Sequence, residues 1–389
     1  MGRSIPIIAC LAALGHVLAV ALYPFSARFL DSENVAIIGL MDANIMLVVG
    51  WLGFGLSATA TRDIALSGDW KKIISSTQSA RLTLSLVFMV IGVVGLNVFD
   101  GNRYFWLALV AAPFLAVNYD YLLYGLGRPV SASVVSFLRQ SIPLIIFCLL
   151  LFLGVADSDY YMPLIIVFAV LSAYAVSVLV KSPFLYKLDP FFVKIYWASA
   201  SIGIAGLVLG MQRYGFINML EEHLTSSEIV QLLVSLKCML FVVACKRMLI
   251  QIFYTKLLDD LVAFKINIFC MASAIATIGT CWIFPDFLSS ILFDSQDAAD
   301  ILRVMSLGVF SVLFFAVSDS KLLLIRKDRW MSISTVLTGL VFVSIIFSFR
   351  NELRLVDIVG LMVFFEFVLS FAYWVGLVYY KKTILKGGV

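Results

Sequence analysis

Three basic side chains lie in or beside long apolar stretches, where charge is costly. Lys237 is inside one stretch, about nine residues from its end, which at 1.5 Å per residue is near a bilayer midplane. Arg213 and Arg28 lie near the ends of two others. A charge at the centre of a membrane helix costs roughly 2.5–3.5 kcal/mol and usually faces a bundle interior or water-filled cavity. The pattern predicts a cationic cavity that suits a pyrophosphate or an acidic sugar.

These cations have alternative interpretations. Arg28 and Arg213 could instead extend their side chains to the outer lipid headgroups. Lys237 is too deep for that, so it either faces a cavity or forms an ion pair. Arg139 and Lys321 lie close to the cytoplasmic side, where extension to the headgroups is the favoured interpretation.

Four acidic residues are also expected inside apolar stretches: Asp42, Asp120, Asp319 and Glu366. They could exchange a proton or a sodium ion and so couple transport to the membrane gradient, or they could neutralise the buried cations.

Catalytic, metal-binding and cofactor-binding residues are not predicted. The six cysteines all fall in apolar stretches without a Cys-x-x-Cys pair, and the two histidines cannot complete a metal site with them.

The composition requires membrane-spanning helices to position these charges. Of 389 residues, 62% are hydrophobic and only 13% are charged, whereas soluble domains are about a quarter charged. One span needs about 20 apolar residues, so the length accommodates about twelve. The expected spans are 4–24, 35–58, 82–98, 104–124, 133–153, 162–180, 196–216, 227–248, 264–284, 304–325, 331–348 and 357–379.

The distribution of basic residues predicts the orientation. Of the 28 lysines and arginines, 21 fall in segments on the side of the N-terminus, six fall on the other side, and Lys237 is inside a span. Cytoplasmic loops carry the excess of basic residues, so both termini are expected in the cytoplasm and the number of spans is even. Residues 62–81, counted on the cytoplasmic side, would be a short interfacial helix or a plain loop.

An internal duplication predicts two halves. Shifted by 201 residues, segment 114–145 lies over 315–346 with eight identical pairs, among them Phe114/Phe315 and Arg128/Arg329. The shift maps span four onto span ten, which preserves orientation. It predicts two six-helix bundles, 1–185 and 186–389, related by a pseudo-two-fold axis along the membrane normal. Asp120 and Lys321 occupy equivalent positions, so a salt bridge between the halves is expected.

Three short motifs resemble those of a known family. Residues 26–39, SARFLDSENVAIIG, are similar to the turn between spans one and two of bacterial polysaccharide flippases. Residues 53–65 contain Gly53 and the sequence Arg62-Asp-Ile-Ala, which resembles the exit from span two in that family. Residues 124–128, YGLGR, resemble the basic turn after span four. With twelve spans in a six-plus-six duplication, the chain resembles Wzx-type O-antigen flippases, whose superfamily also holds multidrug exporters and the lipid II flippase.

This resemblance implies a function without a covalent step. It implies that an undecaprenyl-diphosphate-linked oligosaccharide is moved from the cytoplasmic to the outer leaflet of the inner membrane by alternating access, for O-antigen or lipopolysaccharide synthesis. The family often has Asp-Arg in span seven; here Gln212 precedes Arg213, and only the arginine carries over. Expected partners are the lipid-linked oligosaccharide, membrane lipids and a polymerase or chain-length regulator, and no nucleic acid. The alternatives are a drug or cation antiporter and, less favoured, a membrane polysaccharide polymerase or glycosyltransferase.

Overall fold

This computed structural model describes residues 4–67, 69–99, 101–188, 191–252, 257, 259–293, 298–325 and 327–386. Within these residues the regular secondary structure is entirely helical. They form two compact units, 1–218 and 219–389. The helices up to the boundary are α1 Ser4–Ser26, α2 Ser32–Gly53, α3 Leu56–Ser67, α4 Trp70–Val98, α5 Arg103–Val110, α6 Ala112–Ala116, α7 Tyr121–Gly125, α8 Pro129–Phe152, α9 Tyr161–Val180, α10 Phe192–Ala198, α11 Ala200–Gly210 and α12 Ile217–Leu220. The helices beyond it are α13 Ser226–Ile252, α14 Asp260–Ile283, α15 Pro285–Leu292, α16 Ala299–Phe314, α17 Ser318–Leu324, α18 Asp328–Phe349 and α19 Leu355–Lys386.

The all-α, membrane-spanning fold class is confirmed. Nine helical segments of the described chain are long and apolar enough to cross a membrane, and the bent pair 103–125 makes a tenth. The other two predicted spans, 4–24 and 196–216, correspond to α1 and to α10 and α11 with the π-helical turn that follows them. The chain is therefore a multi-pass membrane protein.

The two units divide after residue 218. The duplication predicts the boundary between the halves earlier in the chain, after residue 185. Residues 192–218 belong to the first unit because α10 packs against α4, and α11 and the turn that follows it pack against α2. This packing also explains why α2 is the central helix of unit 1, with 72% of its most apolar window buried. In unit 2 the segment Ala299–Leu322, which begins with α16, is buried to the same extent. The other seven long spanning helices described in the two units are only 22–39% buried.

The fourth span of each half is interrupted. In unit 1 the span bends by 55° between α5 and α6, and α6 is followed by a break at residues 117–120 and then by α7. In unit 2, α16 ends at Phe314 and α17 starts at Ser318. The two breaks fall within about one helical turn of each other under the 201-residue shift.

The connection between spans two and three is neither a separate interfacial helix nor a loop. Helix α2 starts at an N-cap where Asp31 Oδ1 accepts a hydrogen bond from Asn34 N, and it ends where Phe54 and Gly55 adopt positive φ angles of 34° and 71°. A Cβ on Gly55 would lie 3.0 Å from Gly203 N, so the turn requires glycine for both its conformation and its close approach. Helices α3 and α4 follow, and α4 already includes most of the predicted connection.

Glycines bring α4 and α5 into close contact. A Cβ on Gly92 would lie 2.8 Å from both Trp106 O and Val110 N, which are backbone atoms that cannot move alone. A Cβ on Gly279 of α14, by contrast, would have no neighbouring atom within 4 Å. Small residues of this kind allow membrane helices to pack closely.

We expect Gly92→Ala to lower the stability of the purified protein, because overpacking costs about 1–3 kcal/mol and exceeds the gain of about 0.5–1 kcal/mol in helix propensity. The measurement is the denaturation midpoint in detergent. Gly279→Ala is the matched control and should leave the midpoint unchanged or raise it. Equal shifts for the two variants would contradict the close packing of α4 on α5.

Candidate functional site

The buried carboxylate of unit 1 lies on its central helix. Asp42 is buried on α2, and its Oδ1 accepts a hydrogen bond of 3.0 Å from the hydroxyl of Tyr161, at the start of α9. Tyr161 is buried too. A carboxyl group held by a neutral hydroxyl in an apolar core can exchange a proton without breaking an ion pair with that partner.

Arg213 lies in a π-helical turn, Met211–Gly215, that continues α11. Phe216 N donates to Met211 O over 2.9 Å, an i→i+5 hydrogen bond that adds one residue to the turn. Such turns occur frequently at functional sites. Gly210, just before the turn, and Gly215, its last residue, both face Leu47 of α2, and an ideal Cβ on either would lie 3.5 Å from the Leu47 side chain.

An amide pair fixes the end of span seven beside the middle of α2. Asn44 Nδ2 donates to Asn218 Oδ1 at 3.1 Å, and Asn218 Nδ2 donates to Asn44 Oδ1 at 2.7 Å. Asn44 is twelve residues beyond Ser32, so the pair lies about 18 Å along α2. Arg213 lies in the turn whose two glycines face Leu47, fifteen residues beyond Ser32, so it is level with the second half of α2 and not with its first turn.

Arg28 is separate from these groups. It is exposed in the turn between α1 and α2, at the opposite end of α2 from the π-helical turn. The structure therefore leaves open the interpretation that Arg28 contacts lipid headgroups.

Asp120 and Arg139 form a salt bridge inside unit 1, with 3.2 Å between Oδ2 and Nη2 and side chains about one-fifth exposed. Lys321 pairs within unit 2, with Asp260 at 3.0 Å. The salt bridge expected between Asp120 and Lys321, and the extension of Arg139 and Lys321 to headgroups, stay predictions. Each charge has an opposite charge on a neighbouring helix of its own unit.

A second pair in unit 2 involves Asp319, at the start of α17. Its Oδ2 accepts from Lys246 Nζ of α13 at 3.0 Å, and its Oδ1 accepts from Ser320 N at 2.7 Å. Asp319 thus neutralises a cation, and it also accepts from the N–H group of the next residue in the first turn of α17.

Lys237 and Glu366 are buried at matching depths on packed helices of unit 2. Lys237 is eleven residues beyond the start of α13, and Glu366 is eleven residues beyond the start of α19. Both helices pack against each other and both side chains interact with neighbours. Each charge is about 16 Å along its helix, and in the predicted topology, in which both helices run the same way, this depth would be near the membrane midplane.

Arg81 is a buried cation, although its position in the sequence places it at the end of the predicted cytoplasmic connection 62–81. Arg81 is only 4% exposed, and its Nη1 donates to Gln78 Oε1 at 3.0 Å and also to Asn118 O. Gln78 Nε2 donates to Val117 O at 3.1 Å. The two side chains satisfy carbonyl groups that the break after α6 leaves without helical partners. The signal in the sequence is the spacing of Gln78 and Arg81, one turn apart, at the start of the apolar run.

Unit 1 also contains an open groove of about 500 Å³ between α2, α4, α10 and α11. Its nine lining side chains are aromatic or aliphatic. Tyr196 has a hydroxyl group, which donates to Leu52 O over 3.0 Å. Across the described residues, no group of three or more histidine, cysteine, aspartate or glutamate side chains could hold a metal ion.

Comparison with solved structures identifies the fold. An inward-facing conformation of a multidrug resistance MATE family transporter of the MOP superfamily matches with a TM-score of 0.71, at 15% identity, over 99% of this chain and all of that one. An outward-facing conformation of a MATE transporter matches with a TM-score of 0.61, at 14% identity, over 99% and 97% of the two chains. A MATE protein in complex with MaL6 matches with a TM-score of 0.66, at 15% identity, with the same coverage.

The chain has the MATE fold. No protein-family model and no curated protein matches the sequence. At 14–15% identity the likeness concerns the arrangement of helices, so function has to be argued from the residues.

We expect Asp120 and Arg139 to be energetically coupled. Asp120→Asn and Arg139→Gln should each destabilise the protein, because each leaves a partly buried charge without its partner. The double variant should lose less than the sum, by roughly 0.5–3 kcal/mol. The measurement is a double-mutant cycle on the denaturation midpoint in detergent. The exposed Asp300–Arg303 pair, at 2.8 Å, is the control and should show a coupling of about 0–1 kcal/mol. Additive losses at Asp120 and Arg139 would refute the coupling.

Proposed function

We propose that the chain is a flippase, which moves a lipid-linked oligosaccharide from the cytoplasmic to the outer leaflet of a bacterial inner membrane by alternating access. The observation that carries the proposal is the depth of two cations. Arg213 is level with Leu47, in the second half of α2, and Lys237 is buried about 16 Å into α13. Cations are kept at this depth when they face a cavity or bind an anion, and a diphosphate headgroup is such an anion.

The pairing of the acids supports an anionic substrate over a cationic one. Asp120 and Asp319 are engaged by Arg139 and Lys246. A site for an organic cation needs acids that are not already neutralised by basic side chains. Moving a headgroup requires no covalent step, so the reaction is transport and not catalysis.

The orientation belongs to the same proposal. The 21 basic residues on one side put both termini in the cytoplasm. The lipid-linked substrate then enters from the cytoplasmic leaflet, and a polymerase or chain-length regulator would act on it outside, as in O-antigen synthesis.

A drug or cation antiporter is the second candidate. The MATE proteins of the same fold include a multidrug resistance transporter, and the buried Asp42–Tyr161 pair is suited to exchange a proton. In the flippase, the same pair would couple flipping to the proton gradient.

The flippase proposal is tested by deleting the gene and measuring surface polysaccharide and cytoplasm-facing lipid-linked oligosaccharide. We expect loss of the polymer and accumulation of the lipid-linked repeat unit. Wild type should restore both pools, whereas Arg213→Ala and Lys237→Ala at matched expression should not, because they remove the cations for the headgroup. Arg28→Ala should have a smaller effect. Arg103→Ala, at an exposed position, is the control and should restore both pools.

Two outcomes would contradict the flippase. Unchanged pools in the deletion strain would favour the antiporter. Loss of polymer while single repeat units still reach the outer face would favour a polymerase. Lys237→Arg keeps the charge and should rescue better than Lys237→Ala if charge, and not folding, is what matters.

Coupling is tested in proteoliposomes with an imposed pH gradient. Asp42→Asn should reduce gradient-driven transport by roughly 5–150-fold, the range of ordinary coupling free energies, because the amide cannot exchange a proton. Tyr161→Phe should reduce it less, since the carboxyl group remains. Asp159→Asn, at an exposed acid, serves as the control. Transport by Asp42→Asn at the wild-type rate would exclude this carboxyl group from coupling.

A further inference from the structure

The segment that follows α9, residues 181–197, is fixed to unit 1 at its start. The Tyr119 hydroxyl lies 3.2 Å from the Ser182 hydroxyl, and the Tyr119 ring meets the Tyr186 ring edge-on, with 6.2 Å between the centroids. Phe184, between these two residues of the segment, packs against the same hydrophobic cluster. Three alternate side chains are thus turned towards the unit, so the stretch has one defined outer face.

The outer face of this stretch consists of lysines and large apolar side chains. Lys181 and Lys187 are exposed. Leu185 and Leu188 are exposed too, by 62% and 56%. Large apolar side chains grouped on a surface mark a site that contacts a membrane or another protein, and here they are mixed with positive charge.

Helix α10 has an outer face of the same kind. Phe191, Lys194 and Trp197 are three residues apart and therefore share one side of the helix. All three are exposed, Phe191 by 75% and Trp197 by 78%. The opposite side holds Phe192 and Tyr196, which pack against each other and against α4. The outward residues of α10 thus repeat the combination of lysine and large apolar side chains.

The level of this face in the membrane follows from α4. The helix has 29 residues and is about 43 Å long, whereas the hydrocarbon core of a bilayer is about 30 Å thick. Counted from Val98, the core ends about 20 residues earlier, near Gln78. Tyr196 packs in one cluster with Ala80, and Gln78 donates to a carbonyl group two residues before Tyr119, which holds the start of the segment. The outer face therefore lies where the hydrocarbon meets the headgroups.

The charge of the segment selects the headgroup. Its sequence has three lysines and a single acid, Asp189. No ion pair in the described part of the chain includes Lys181, Lys187 or Lys194. Basic residues at a membrane surface are attracted to anionic lipids, and aromatic rings beside them are typical of the headgroup level. A zwitterionic phospholipid would accommodate the rings, but it has no net charge for the lysines.

We propose that residues 181–197 form a binding surface for anionic phospholipids. The three lysines would contact the headgroup phosphates, and the exposed leucine and aromatic side chains would insert beside the acyl chains. In the predicted topology these lipids belong to the cytoplasmic leaflet. The surface would fix the depth of unit 1 at this end of its helices. It involves none of the residues proposed to handle the transported headgroup, so it goes beyond the proposed function.

The first test is photo-labelling of the full-length protein in nanodiscs of phosphatidylethanolamine that contain a small fraction of phosphatidylglycerol with a diazirine in its headgroup. We expect labelled peptides from residues 181–197. Excess unlabelled phosphatidylglycerol should abolish this labelling, whereas the same excess of phosphatidylcholine should not. Raising the salt concentration should weaken it, because the attraction between exposed charges is screened.

Variants of the lysines test the charge. Lys181→Gln, Lys187→Gln and Lys194→Gln together should reduce the labelling by about tenfold or more, since each lysine at an anionic surface contributes about a fivefold preference. The same three lysines changed to arginine should label like wild type, which separates charge from folding. Arg103→Gln removes an exposed cation beyond the other end of α4, so it is the matched control and should also label like wild type.

The second test measures the depth of Trp197 by fluorescence quenching. The difference in emission between wild type and Trp197→Phe isolates this ring from the other tryptophans. We expect lipids brominated near the headgroup to quench it more strongly than lipids brominated near the chain ends. A Trp197 that neither lipid quenches would place this face in water, as a docking surface for a soluble protein requires, and would overturn the proposal.

Two labelling results would also overturn it. These are equal labelling of wild type and the triple glutamine variant, and equal competition by phosphatidylcholine and phosphatidylglycerol. Both tests use purified protein without a transported substrate, so their outcome does not depend on the flippase. If deletion of the gene leaves the polysaccharide pools unchanged while labelling and quenching are as expected, the flippase fails and the lipid surface stands.

Discussion

A backbone polar group inside a bilayer must find its partner within the protein, and much of this structure follows from that requirement. In unit 1 the break in the fourth span, between α6 and α7, leaves several backbone carbonyl groups without helical partners. Gln78 and Arg81 supply the missing donors from α4 to Val117 and Asn118. In unit 2 the requirement applies to the N–H groups at the start of the helix after the break, and Asp319 accepts from one of them, Ser320 N. Interrupted helices are tolerated in both units because side chains from neighbouring positions replace the lost hydrogen bonds.

The same requirement determines where charge is found. Each unit places acids next to bases on adjacent helices, as in Asp120 with Arg139 and Asp319 with Lys246. Such pairs contribute less to stability than their Coulomb energy implies, because both partners lose hydration. Their larger effect is on specificity, since a helix that slips by one turn would separate the partners.

The sequence predicts which charged residues are buried in this fold better than it predicts which residues they contact. Charge inside apolar runs reveals Lys237, Asp42 and Glu366, which are all buried. The same reasoning does not identify Arg81, because it follows Lys71 and Lys72 and so is assigned to a polar connection. In the structure α4 already includes Arg81. The partners of Asp120 and Lys321 are also beyond the sequence, because salt bridges depend on how helices are rotated against each other. The π-helical turn around Arg213 is beyond the sequence too, because hydrophobic periodicity does not encode the one residue added to the turn.

The amide pair between Asn44 and Asn218 has an electrical consequence. Each fixed charge that moves across a membrane potential changes in energy by about 2.3 kcal/mol per 100 mV, and ion pairs in water-filled cavities weaken as salt rises. Two neutral amides respond to neither influence. The attachment of span seven to α2 is therefore equally strong in an energised and a de-energised membrane, and voltage acts on the ionisable residues and not on this joint.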